Sequence, residues 1–179
     1  MGMRGSLLAV LAGAAIVAGV AVTSAFGTNK EEPGSSASTI TIGGTFPLTG
    51  PASLYRTIPA AEKAYFDYVN DHGGINGRKI DFKIVDDGYD PSKTVPLTQQ
   101  LVEQDKVFAI YGSLGTAPNL ATWNYLNQGK VPQVLLATGA SYWGYSAKKY
   151  PCALGFPPAY PGETRATARY PNATPQGPR

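Results

Sequence analysis

From Thr39 onward, short apolar runs alternate with longer stretches whose apolar residues recur three and four positions apart. This is the pattern of a parallel sheet whose strands are joined by crossover helices. Ile40 to Phe46 is predicted as the first strand, opening into a loop with Pro47, Gly50 and Pro51. Ile58, Ala61, Tyr65, Tyr68 and Val69 fall at helical spacing, and that helix is expected to stop at His72-Gly73-Gly74. IDFKIVDD, with Ile80, Phe82 and Ile84 alternating, is predicted as the second strand. The next helix has Asp90 as cap and Pro91 at its first position, while Pro96 lies too deep for a regular first turn and predicts an irregular start. Val107 to Tyr111 is the third strand, the helix after GSLGTAP runs to Gln128 with Gly129 ending it, and Val134 to Ala137 is the fourth strand. The order βαβαβαβ predicts an α/β fold, a three-layer sandwich around a parallel sheet.

Both ends of the chain break this pattern. Arg4, the apolar stretch Leu7 to Val22 and the small residues Thr23, Ser24 and Ala25 have the layout of a signal peptide over residues 1–25, with an uncleaved anchor as the alternative. Residues 26–38, polar and rich in Gly and Ser, read as a flexible linker. Residues 39–150 form the predicted domain. Residues 151–179 are dense in proline and contain neither valine nor isoleucine, so they read as an extended or disordered tail.

Charge and reactive residues narrow the chemistry. A net charge of +3 without a Lys/Arg cluster offers no footprint for nucleic acid. Cys152 and His72 are single residues of their types, which leaves metal binding and Ser-His-Asp or Cys-His catalysis short of partners. No metal, no cofactor and no enzymatic activity are expected. The Asp86-Asp87 pair after the second strand reads as a solvated turn or as a magnesium or phospho-acceptor site.

GSLGTAP (residues 112–118) is the segment with candidate chemistry. A helix starting near Thr116 exposes backbone N–H groups without internal acceptors, and the peptide dipoles add positive charge there. Such a start suits a small anion, with the hydroxyls of Ser113 and Thr116 as further donors. The bland alternative is a capping threonine in a tight glycine turn. A nucleotide phosphate is a rival occupant, although neither G-x-G-x-x-G nor G-x-x-x-x-G-K-[ST] occurs.

IGGTFPLTGPAS, AAEKAYFDYVN running into DHGGINGRKI, IVDDGYDPSK, QQLVEQDKVFAIYGSLGTAPNLA and VPQVLLATGASYWG together resemble the substrate-binding proteins of branched-chain amino-acid ABC importers, of the type I periplasmic binding fold. The resemblance spans about Thr39 to Gly144 and implies most of a first, ligand-gripping lobe. It implies a small-molecule solute, an amino acid or small carboxylate, held by its acid group at Ser113, Thr116, Ala137, Thr138, Gly139 and Ala140, with Tyr55 walling the side-chain pocket. It further implies export to the periplasm or outer face of the membrane and a membrane ABC permease as partner. Family members are longer, so the resemblance also implies a truncated lobe with weakened binding. A Rossmann-like nucleotide-binding enzyme domain and a non-functional gene fragment are the alternatives.

Overall fold

The computed structural model describes residues 32–145 and 147–173. The predicted signal peptide lies outside them. Five strands, β1 (Thr39–Phe46), β2 (Lys79–Asp86), β3 (Ala109–Tyr111), β4 (Gln133–Leu136) and β5 (Ala153–Gly155), form one parallel sheet in the order β2-β1-β3-β4-β5. The helices are α1 (Thr57–Asp71), preceded by a 3-10 turn at Ser53–Arg56, then α2 (Pro91–Glu103), α3 (Thr116–Gln128), α4 (Tyr142–Tyr145) and α5 (Tyr160–Ala173).

Strand alternation sends neighbouring residues to opposite faces, and each face has its own helices. Ile42 and Ala109 meet Phe66 of α1 on one side, with Ile80, Phe82 and Tyr111 packed around them. On the other, Val107 and Ile110 meet Leu101 of α2 and Leu126 of α3. Gly43 lets α2 lie close to β1, since a Cβ there would stand 2.8 Å from Leu101 Cδ2. These are the three layers the alternating pattern predicts.

From β1 the chain moves outward to β2, and α2 then carries it back past β1 to β3. Crossovers therefore diverge between β1 and β3, and the carboxyl ends of those strands open a crevice. All the loops considered below leave the sheet at this end.

Four expectations change. Residues 151–179 are not uniformly extended: Ala153–Gly155 pairs with β4 and Tyr160–Ala173 is helical. β5 needs no branched residue because its backbone is positioned by β4, with Gln133 N donating to Cys152 O at 2.7 Å. The second half of the linker is a docked turn, in which Thr41 N donates to Gly34 O and Ser35 bridges Ile40. α1 is phased differently, with Pro59 and Phe66 buried while Tyr65 and Tyr68 are exposed. α2 runs unbroken through Pro96, capped as predicted by Asp90, which accepts from Ser92 N.

Besides the packing of Phe66 on Phe82, a polar side chain ties α1 to β2. Asn70 donates from Nδ2 to Ile80 O at 2.8 Å and accepts from Ile80 N at 2.7 Å. Asn70→Ala is expected to cost about 1–1.5 kcal/mol in chemical denaturation, because both bonds are partly exposed and water replaces part of them.

Candidate functional site

GSLGTAP is stitched to the strands on both sides. Ser113 Oγ accepts from Thr45 N at 2.9 Å, and Leu114 N donates to Thr45 O. Toward β4, Ala137 N donates to Ser113 O and Gly115 N donates to Ala137 O. From below, Asn119 Nδ2 donates to both Ser113 O (2.9 Å) and Gly115 O (2.7 Å). Gly112 and Gly115 take φ of +67° and +108°, conformations that side chains with a Cβ resist.

This stitching brings the two predicted loops side by side. Thr116 Oγ1 and Thr138 Oγ1 are 2.7 Å apart. Gly115, not Thr116, is the N-cap of α3, so Thr116 opens the helix itself. The amides of Thr116 and Ala117 have no acceptor within the helix, and Pro118 has no N–H to offer. The result is a cradle of two amides and two hydroxyls at the positive end of a helix, the arrangement that favours a carboxylate.

The other predicted residues take different places. Gly139 and Ala140 continue the Thr138 loop, and Ala140 N donates to Thr138 Oγ1 at 3.2 Å. Ala137 is in the loop, but its N–H and C=O are spent on the GSLGTAP turn. Ser113 is 1% exposed and bonds β1, so its hydroxyl holds the turn and does not face the cradle. Tyr55 lies on the 3-10 turn after β1, 54% exposed, and among the described residues no hydrogen bond or ring contact joins it to the threonine pair.

Two tyrosines flank the cradle unpredicted. Tyr89, from the turn after β2 with φ +66°, lies over Gly115, where a Cβ would stand 2.6 Å from its ring. Tyr160, at the start of α5, lies over Gly139, where a Cβ would stand 2.5 Å from two ring carbons. Tyr160 N also donates to Gly139 O at 2.8 Å. The Thr138 hydroxyl, the Gly139 N–H and the Thr116 hydroxyl engage its phenol and hold its pKa below the ordinary tyrosine value, outweighing burial. The turn IVDDGYDPSK carried a signal for Tyr89, an aromatic beside a glycine at the mouth of the crevice. Nothing local pointed to Tyr160.

Two carboxylates lie near the same end of the sheet. Asp86 accepts from Leu48 N, Thr49 N, Thr49 Oγ1 and Gly88 N. Burial would raise its pKa, but these bonds, led by that of Thr49, hold it below the ordinary carboxylate value. Asp87 is fully buried and accepts from Tyr89 N and Thr94 Oγ1. Asp86, partly exposed, thus ties the first loop to the second, while buried Asp87 holds its own turn against α2. Glu62 of α1 faces Gly112, with one carboxyl oxygen buried and unpartnered, and burial pushes its pKa up to about 7.

The switch point of an open parallel sheet, here lined by two hydroxyls and a helix start, is where small-molecule sites occur in such folds. The sequence profile of the periplasmic binding protein family matches residues 39–176, and the chain belongs to that family. The match runs through β5 and α5, beyond the stretch from Thr39 to Gly144 on which the resemblance rested.

The Leu/Ile/Val-binding protein homolog 1 of Brucella abortus is 29% identical, the match covering 54% of this chain and 31% of that protein. Among solved structures, a fatty acid ABC transporter substrate-binding protein from Thermomonospora curvata is 34% identical with a TM-score of 0.53, covering 59% of this chain and 27% of that one. A possible leucine/isoleucine/valine-binding protein from Rhodopirellula baltica SH 1 is 26% identical with a TM-score of 0.68, covering 76% and 37%. The chain thus spans about a third of the length of these relatives. Among the described residues no helix is long and apolar enough to cross a membrane.

Proposed function

We propose that this chain is a non-enzymatic, extracytoplasmic solute-binding component of an ABC importer, serving a membrane permease. It holds a branched-chain amino acid or related small carboxylate by its acid group. The Thr116–Thr138 pair beside the free amides of α3 carries this reading. Amino acids and fatty acids, named for the relatives, share the carboxylate and little else. Gly139 and Ala140 frame the acid, and Ala137 and Ser113 hold the frame in place. Tyr55, on the turn after β1, is the wall of the side-chain pocket in this reading and does not touch the acid group.

Magnitudes set the expected affinity. A helix terminus contributes about 0.3–1 kcal/mol to an anion, and about 2 when partly buried, against the roughly 4 kcal/mol of millimolar binding. One hydroxyl proton is spent between the two threonines, so the other hydroxyl and the two amides supply the remainder, and dissociation constants of millimolar or weaker are expected for this chain. Calorimetric titration with leucine, valine and benzoate tests this. Binding of at least one acid, weakened about tenfold in Thr116→Val, is the expected result. Identical heats from variant and parent would overturn the assignment.

A further inference from the structure

β2 is an outer strand of the sheet and, at eight residues, far longer than β5 at the other edge. In a parallel ladder, alternate residues turn both of their backbone polar groups to the same side. Lys79 N donates to Ser38 O at 2.8 Å, toward β1, so the backbones of Lys79, Asp81, Lys83 and Val85 face inward. Those of Ile80, Phe82 and Ile84 face outward. Asn70 reaches round from α1 and takes both groups of Ile80. The N–H and C=O of Phe82 and Ile84 have no partner among the described residues, and such a row invites another strand.

Side chains divide by the same alternation. Ile80 and Phe82 pack under α1, and Val85 packs against the α2 side. Asp81 and Lys83 lie on the Val85 side, 3.1 Å apart and 44% and 43% exposed. The free edge therefore carries one negative and one positive charge, two residues apart, on a single face.

A second β2 entering antiparallel can bond only through its own outward residues, which leaves few registers about a two-fold axis. Asp81 on the axis sets aspartate against aspartate, and Lys83 on the axis sets lysine against lysine; both repel. Ile80 on the axis drives the two Asn70 side chains together, and Ile84 there leaves Lys83 opposite Val85. With Phe82 on the axis, each Asp81 lies opposite Lys83 of the other copy, and each Ile80 lies opposite Ile84. Charge and backbone direction agree in that register alone.

We propose that the β2 edge is a self-pairing surface for a second copy of this chain, antiparallel with Phe82 on the two-fold axis, and that Asn70 limits its strength. While Asn70 holds Ile80, only the Phe82 pair can exchange backbone bonds, and the Ile80–Ile84 pair on either side is blocked. The antiparallel arrangement opens the two acid cradles at opposite ends of the joined sheet, so pairing leaves solute binding untouched.

Sedimentation equilibrium of the full chain over a range of concentrations tests this. Asn70→Ala, checked for folding by circular dichroism, is expected to dimerise at least about tenfold more tightly than the parent, because the bonds on both sides of Phe82 become available. In that background, Asp81→Lys or Lys83→Asp alone sets like charges opposite each other twice and is expected to weaken the dimer about tenfold. Asp81→Lys with Lys83→Asp restores opposite charges and is expected to return it to within about threefold of the Asn70→Ala value. An Asn70→Ala chain as monomeric as the parent overturns the proposal. So does a double variant as weak as the single ones, or association that ignores all three charge variants. Species that grow beyond the dimer, as β2 meeting the β5 edge of another copy would give, overturn it as well.

Discussion

Asn119→Ala is expected to destabilise the protein by about 3–5 kcal/mol and to erase carboxylate binding with it. Asn119 is 1% exposed and makes three side-chain bonds, to Ser113 O, to Gly115 O and from Gln133 Nε2 at 3.0 Å. Alanine removes all three: Gln133 Nε2 is left buried without an acceptor, at about 1–3 kcal/mol, while Ser113 O and Gly115 O keep only the backbone donors Ala137 N and residue 119 N, each losing a bond worth about 1 kcal/mol. Gln133 is already in debt, because its Oε1 is buried without a partner. The same bonds hold the turn that presents Thr116, so the loss is local as well as global. Urea denaturation measures the first effect and benzoate calorimetry the second. A variant within 1 kcal/mol of the parent would mean that the turn holds its shape without Asn119.

Glu62→Gln is expected to stabilise the protein by about 2 kcal/mol at pH 8 and to change little at pH 4. Burial raises the Glu62 pKa from 4.5 to about 7, so between these values the folded chain holds a proton that the unfolded chain has released. Stability then falls as pH rises through this window and levels off above it. The figure is reduced for the partial exposure of the side chain. Asp86 acts with the opposite sign in another range: its lowered pKa contributes stability present above about pH 4 and lost on further acidification. Urea titrations of parent and variant at pH 4, 6 and 8 separate the two. A constant difference across the three would dismiss burial of the carboxyl as the cause.

The first four strands, the cap of α2, the stop at His72 and the length of α3 were legible because each has a local signal: alternation, a capping side chain or a glycine. The pairing of Thr116 with Thr138 was legible from topology, since loops leaving adjacent parallel strands meet at one end. Side-chain direction was not. Ser113 and Thr116 are both hydroxyl residues of one turn, yet the positive φ of Gly112 sends Ser113 inward against β1 while Thr116 opens the helix. α1 misled for a related reason, because several apolar residues make two faces plausible and only contact with Phe82 and Tyr111 selects Phe66. β5 and Tyr160 depend wholly on partners distant in sequence. Three residues of ALG become a strand only beside β4, and a tyrosine in a proline-rich stretch becomes part of a site only where Gly139 makes room for its ring.

Both tryptophans of the chain sit together at the β4–β5 corner, their rings 5.4 Å apart, with Tyr150 stacked at 3.8 Å on Trp123. Intrinsic fluorescence from this protein is therefore a report from one corner. It will register events there and leave the opposite edge, around α1 and β2, optically silent, so an unfolding curve followed by emission and one followed by backbone dichroism need not trace the same event.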